Sequence, residues 1–202
     1  MTKSELRKQL LARRGELRAG EVAAISQKVA ERFFAEVDLA AVVRLHTFIR
    51  IAKFNEIDTS MIYMRLWRDR PQIATFAPRI DHETGRMESV RFDEHTQLVE
   101  GRWGIREPAE GESVSPSEVD LVLVPMLGFD HLGHRIGYGK GFYDRFLRQT
   151  RLDCLKIGLC PWPPLDAPIE THEGDVPLDI IITPDAVFRP ETSVKELNDW
   201  SN

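Results

Sequence analysis

Residues 120–147, DLVLVPMLGFDHLGHRIGYGKGFYDRFL, decide how this chain reads. Leu121 to Val124 is an uninterrupted apolar run, short enough for a strand covered on both faces, and Pro125 stops it. Gly133, Gly137, Gly139 and Gly141 follow, with Arg135 and Lys140 among them. Phe142, Tyr143, Asp144, Phe146 and Leu147 then begin a helical spacing. The stretch predicts a strand, a glycine-rich loop and a helix. Glycines let the backbone take positive φ and let a ligand approach its N–H groups, and a helix start adds unpaired N–H groups with a partial positive charge. Such a turn suits a phosphate. The spacing is neither a Walker A loop, because Lys140 is followed by Gly141, nor the G-x-G-x-x-G dinucleotide pattern. Glycines after a strand also make ordinary turns; Arg135, Lys140 and Asp144 together are what point beyond one. Asp144 is placed either to cap the helix or to hold a magnesium ion that bridges phosphates.

Before this stretch, Thr2 and Glu5 have capping-box spacing and open a helix from Lys3 to Arg18, on which Lys3 and Arg7 share one face. Lys8, Arg13, Arg14 and Arg18 add further cations, and a basic face of this kind is commonly only solvated. Gly20 and Glu21 open a second helix carrying Val22, Ile25, Val29, Phe33 and Phe34. Val42 to Ile49 reads as the first strand, and a loop with Lys53, Asn55 and Glu56 leads to Asp58 or Thr59 as the cap of a third helix. Glu56 lies where α/β sheets place ligand groups and reads equally as a solvated acid. Gln72 to Ala77, ended by Pro78 with Arg79 just beyond, and Met87 to Phe92 form a hairpin. Residues 93–116 read as surface loop. After the central stretch, Cys154 to Cys160 and Leu178 to Thr183 are further strands, the proline-rich segment 161–168 breaks regular structure, and a short helix falls near Val194 to Trp200.

Strands and helices alternate, and the strands are apolar throughout rather than alternating. The expected fold is therefore α/β: a three-layer α/β/α sandwich around a Rossmann-like, mostly parallel sheet with one antiparallel excursion at residues 72–92. The 202 residues, 42% hydrophobic and 29% charged, fit a single domain spanning residues 1–202. A net charge of −5 argues against a nucleic-acid surface, and there is no apolar run long enough for a membrane span. The two cysteines, six apart, match neither a zinc knuckle nor a redox pair and are expected to be buried thiols. With a charged N-terminus, the expected location is the cytoplasm.

The segment GFDHLGHRIGYGKGFYDRFL, taken in order with KSELR (3–7), NEIDT (55–59), IREP (105–108) and DVPLD (175–179), resembles the 5-formyltetrahydrofolate cyclo-ligase family over residues 3–185. The resemblance implies a monomeric enzyme that uses ATP and Mg2+ to convert 5-formyltetrahydrofolate to 5,10-methenyltetrahydrofolate. It places Lys3, Arg7, Arg79, Arg135, Gly137, Tyr138, Gly139, Lys140, Gly141, Phe142 and Tyr143 at ATP, with Arg135 and Lys140 as the catalytic cations. Ile51, Glu56 and Tyr138 are placed at the folate, and Asp144 and Asp175 at the metal. The residues alone leave open whether Tyr138 stacks on a base or only packs. The sequence departs from the family pattern in the proline-rich segment after Leu159, which lacks a glutamine, and in the extra cations Arg50 and Lys53 before Glu56. Two alternatives follow: an ATP-dependent enzyme of the same fold acting on another formyl or carboxyl compound, or a non-catalytic folate- or nucleotide-binding regulator.

Overall fold

The computed structural model describes residues 1–190 other than 82, 102 and 103; the helix expected near Val194 to Trp200 lies outside them. The capping box forms as the sequence spells it, the Thr2 amide donating to Glu5 Oε2 at 2.8 Å and the Glu5 amide to the Thr2 hydroxyl at 3.3 Å. Helix α1 spans Lys3–Gly15 rather than reaching Arg18. A new helix, α2 (Ala19–Glu36), begins there because the Glu21 carboxylate accepts from the Arg18 amide at 2.7 Å. In chain order there follow β1 (Arg44–His46), α3 (Ser60–Asp69), β2 (Ala74–Ile80) and β3 (Met87–Arg91). Next come β4 (Leu98–Glu100), β5 (Arg106–Pro108), β6 (Ser113–Val114), β7 (Leu121–Pro125), β8 (Gly128–Phe129) and β9 (Arg135–Ile136). Helix α4 (Phe142–Leu147), β10 (Leu155–Leu159), β11 (Ile180–Ile182) and β12 (Val187–Phe188) are the last of the described α-helices and strands.

Eight of these strands form one sheet in the order β12-β11-β10-β7-β1-β2-β3-β6. The five from β11 to β2 run parallel, and β12, β3 and β6 are antiparallel to their neighbours. Because side chains alternate across a strand, β7 feeds two cores. Leu121 and Leu123 pack with Val29 and Phe33 of α2 and Ile62 and Leu66 of α3. Val122 and Val124 pack with Leu10 of α1 and Phe146 and Leu147 of α4. The expected three layers are thus present, and they explain why the parallel strands are apolar on both faces. From β1 the chain builds the sheet toward β2 and β3, whereas from β7 it builds toward β10 and β11. The pair β1 and β7 is therefore the topological switch point, where an open α/β sheet leaves a crevice beyond its carboxyl ends.

Four local expectations are corrected. Strand β1 is shorter than Val42 to Ile49, because beyond Thr47 the backbone turns to other partners: the Phe48 carbonyl accepts from the Thr59 hydroxyl. That leaves Asp58 to serve α3, its Oδ1 accepting from the Ser60 amide at 3.0 Å. Strand β2 runs through Pro78 instead of ending there, which places Arg79 inside the strand. The edge Pro78 presents has lost its neighbour, since β1 ends opposite Phe76, and the next amide on that edge, Ile80, donates to Glu107 Oε1 at 3.2 Å. Residues 93–116 are not all loop: β4 pairs with β5, and β6 extends the main sheet. Finally, the β8–β9 hairpin stands between β7 and the glycine loop, and α4 has only six residues.

Candidate active site

The loop 137–141 leaves β9 with Gly139 at φ +85° and Gly141 at φ +66°, conformations that side-chain-bearing residues rarely adopt. The short α4 offers little macrodipole, so the charge at this loop comes from side chains. Asp144 is not a helix cap. Its Oδ1 accepts from Arg135 Nη2 at 2.6 Å and from the Val176 amide at 3.4 Å, while Arg135 Nη1 donates to the Val176 carbonyl at 2.5 Å. Beside this pair, Lys3 Nζ donates to Asp175 Oδ2, which also accepts from the His172 amide at 2.9 Å. Burial pushes the Asp175 carboxyl up, but Lys3 and the His172 amide outweigh it and hold it below its ordinary value. Two cations and two carboxylates from three separate segments thus balance one another at the loop.

Helix α1 lies along this loop through one stripe, Lys3, Arg7, Leu10 and Arg14, the i, i+4, i+7, i+11 positions of a single face. Arg7 Nε donates to the Gly137 carbonyl at 2.8 Å, and its guanidinium covers Gly139 so closely that a Cβ there would stand 2.8 Å from Arg7 Cζ. Leu10 packs on Gly128 in the same way, where a Cβ would meet its Cδ1 at 2.9 Å. Arg14 is 2% exposed; its Nη1 donates to the Met126 carbonyl at 3.2 Å and its Nη2 to the Tyr138 hydroxyl. The sequence places Arg14 on a basic, solvated face, whereas the structure buries it in this network. The available signal was its heptad distance from Arg7.

Across the switch point, the loop after β1 brings Glu56 to Tyr138. Glu56 is 3% exposed; its Oε1 accepts from the Tyr138 hydroxyl and its Oε2 from the Ile51 amide at 2.6 Å. Burial raises the Glu56 pKa, against the pull of Tyr138, the Ile51 amide and Arg14. Ile51 therefore takes part through its backbone. The Tyr138 ring lies 5.6 Å from that of Phe54, and Arg14 Cζ sits 5.5 Å from the Tyr138 ring centroid. Asn55 adopts the left-handed conformation at φ 49° and donates to the Arg14 and Leu17 carbonyls at 3.0 Å each, stitching this loop to the end of α1. Arg14, Glu56, Phe48, Pro125, Met126 and Pro161 line a cavity of about 10 Å³, room for one water. The Tyr143 hydroxyl is buried with no partner among the described residues, and burial together with the Glu56 carboxylate raises its pKa above the ordinary tyrosine value.

The structure thus gathers Lys3, Arg7, Arg135, Gly137, Tyr138, Gly139, Tyr143, Asp144 and Asp175 around one loop and joins it to Ile51 and Glu56. Lys140 stands exposed on the loop, Gly141 starts α4, and the Phe142 ring lies 5.2 Å from the Arg145 guanidinium. Arg79 is not drawn into this network: its Nε and Nη2 donate to Glu88 Oε2 on β3, at 3.0 and 2.8 Å. The proline-rich segment is anchored rather than loose. Trp162 Nε1 donates to the Leu127 carbonyl at 3.1 Å, and the Ile169 amide donates to the buried Asp130 at 2.8 Å. Arg50 pairs with Asp58 at 3.2 Å. Cys154 and Cys160 are free and buried, which pushes their thiols up to about 11 and about 12. No group of three or more metal-ligating side chains occurs among the described residues. Asp144 and Asp175 nevertheless fit Mg2+, which takes one or two carboxylates and completes its shell with water and substrate phosphates. No helix of the described residues is long and apolar enough to cross a membrane.

Fold and site together define the class: an α/β protein with a mostly parallel sheet and, beside the switch point of that sheet, a glycine loop flanked by the cations Lys3, Arg7, Arg14 and Arg135. Comparison with known proteins narrows this. The chain belongs to the 5-formyltetrahydrofolate cyclo-ligase family, whose profile matches residues 1–184. It is 28% identical to the mouse (Mus musculus) 5-formyltetrahydrofolate cyclo-ligase over 201 residues, covering 91% of this chain and 92% of that one. To the Escherichia coli K12 5-formyltetrahydrofolate cyclo-ligase it is 30% identical over 152 residues, 73% and 82% of the two chains. Among solved structures, the Aquifex aeolicus 5,10-methenyltetrahydrofolate synthetase superposes with a TM-score of 0.74 at 29% identity, covering 95% of this chain and 94% of that one.

Proposed function

We propose that this chain catalyses the ATP-dependent conversion of 5-formyltetrahydrofolate to 5,10-methenyltetrahydrofolate, with release of ADP and phosphate. Family membership across residues 1–184 supports the reaction. The observation that carries it into this chain is the meeting, at one switch point, of the cation-lined glycine loop with the buried acid Glu56.

In this reading the N5-formyl oxygen attacks the γ-phosphorus and ADP leaves. N10 then adds to the formyl carbon and gives up its proton, and phosphate departs with the former formyl oxygen as the ring closes. Phosphoryl transfer of this kind depends on positioning and charge more than on a strong base. Lys3, Arg7, Arg135 and Lys140 supply the charge, Arg135 and Lys140 at the transferring group, and the backbone of residues 137–143 follows the triphosphate. Lys3 and Arg135 hold Asp175 and Asp144 until phosphate oxygens exchange with those carboxylates. Asp144 and Asp175 are the carboxylates that would hold Mg2+, which would supply neutralisation of phosphate charge. Arg79 joins the phosphates by leaving Glu88. Glu56 accepts from N–H groups of the folate ring beside Ile51, with Tyr138 over the same pocket. Residues 1–202 act as one domain, as a monomer, in the cytoplasm.

The test is folinic acid with ATP and Mg2+: absorbance of the methenyl product rises with this chain and is abolished by Lys140→Ala and by Asp144→Asn. No rise at high enzyme concentration overturns the reading.

A further inference from the structure

We propose that Arg14 is a positioning residue for this reaction: acting through the Tyr138 hydroxyl, it sets the Glu56 carboxylate as a fixed acceptor and keeps its Nε donor for an oxygen of the substrate ring. The inference rests on the reading above and extends it to a residue outside the nucleotide and folate contacts already assigned.

Hydrogen-bond polarity gives the argument its direction. Arg14 can only donate, so the Tyr138 oxygen accepts from Nη2, and the single tyrosine proton is left for Glu56 Oε1. The Ile51 amide takes Oε2 at 2.6 Å. A carboxylate offers about four lone-pair directions, so both oxygens are oriented and each keeps capacity for another donor. On the Arg14 side, Nη1 donates to the Met126 carbonyl at 3.2 Å, while Nε, with its single hydrogen, is buried and has no acceptor among the described residues. An unused donor on a guanidinium 2% exposed is unfavourable in a folded protein, and an apolar side chain would fill the space without it. Arg14 and Glu56 also line the same cavity of about 10 Å³, room for one water-sized oxygen. A carboxylate with free lone pairs beside an N–H donor is the complement of a cyclic amide, an N–H next to a C=O, and the substrate's pterin ring carries one.

The test compares Arg14→Gln, Arg14→Lys, Tyr138→Phe and the Arg14→Gln/Tyr138→Phe double variant with the parent chain, each first checked for a cooperative melt. Arg14→Gln is expected to raise KM for 5-formyltetrahydrofolate about tenfold or more and to leave KM for ATP within about twofold, because Lys3 and Arg7 are untouched; Arg14→Lys recovers part of the loss. The groups facing Glu56 are Arg14 from α1, Tyr138 from the glycine loop and Tyr143 from α4. Of these Arg14 alone is charged near neutral pH. Losing it raises the Glu56 pKa, so the acidic limb of kcat/KM for the folate moves to higher pH. Tyr138→Phe moves the limb the same way, and the double variant is no worse than the more impaired single variant. If Arg14→Gln does not fold, Arg14→Lys and Tyr138→Phe carry the same comparison. Equal rises in both KM values, an unmoved acidic limb, or additive single effects overturn the inference and leave the proposed reaction standing. Absence of turnover in the parent chain overturns both.

Discussion

At Gly139 the glycine loop has no room to spare. A methyl group there would stand 2.8 Å from the Arg7 guanidinium carbon, at a φ of +85° that side-chain-bearing residues avoid. Gly139→Ala is therefore expected to cost roughly 1–2 kcal/mol of stability and, by displacing Arg7 from the Gly137 carbonyl, to raise KM for ATP about tenfold. Thermal unfolding and an ATP titration check both; an unchanged KM for ATP would mean that Arg7 contributes nothing to nucleotide binding through this packing. Much at this scale was legible in the sequence. Arg135, Lys140 and Asp144 stand within ten residues of one another with glycines between them, and Lys3 and Arg7 share a helical face. Arg14 was not legible, because a cation in a basic helix looks the same whether its face meets water or a carbonyl. Only the path of the β8–β9 hairpin puts Met126 and Tyr138 against it. The Arg79–Glu88 pair was not legible for the related reason that Glu88 is brought opposite by strand register.

Among the elements, the loop between β1 and α3 is the one on which the site turns. It holds Glu56 in place through Asn55, which accepts a left-handed backbone and donates to two carbonyls at the end of α1. Asn55→Ala loses both bonds and the tolerance for that backbone, so a destabilisation of about 2–3 kcal/mol is expected, with a higher KM for the folate than for the parent. Asn55→Gly, which keeps the backbone freedom, should recover part of the stability. Denaturant midpoints settle this, and an Asn55→Ala variant as stable as the parent would contradict it. The helices and central strands could be read from periodicity and caps, down to the Thr2–Glu5 box. What could not be read were elements defined by a partner distant in sequence. Strand β2 passes Pro78 because β1 stops short, β4 and β5 are three-residue strands that exist only as a pair, and the β8–β9 hairpin hides inside a run read as strand, loop and helix.

For the whole molecule, burial at the centre sets the response to acid. His46 on β1 is fully enclosed, with Nδ1 2.8 Å from Ser89 Oγ and its ring 4.7 Å from that of Phe146 on α4. Burial pushes its pKa down from 6.5 to about 3. Between those values the unfolded chain binds one more proton than the folded one, so stability falls as pH falls, by up to about 1.4 kcal/mol per unit. His46→Gln should flatten that slope between about pH 6.5 and about pH 4; denaturant titrations with parallel slopes for the two proteins would show that His46 is not the group responsible. The same central strand, paired with β7, defines the switch point at which the Glu56 loop and the glycine loop meet. The central claim is that both substrates react there in one coupled event, and the most direct measurement follows ADP and methenyltetrahydrofolate in the same reaction with 5-formyltetrahydrofolate, ATP and Mg2+. The predicted result is equal amounts of the two products, each requiring both substrates. ADP formed without the methenyl product, or methenyl product formed without ATP, would contradict it.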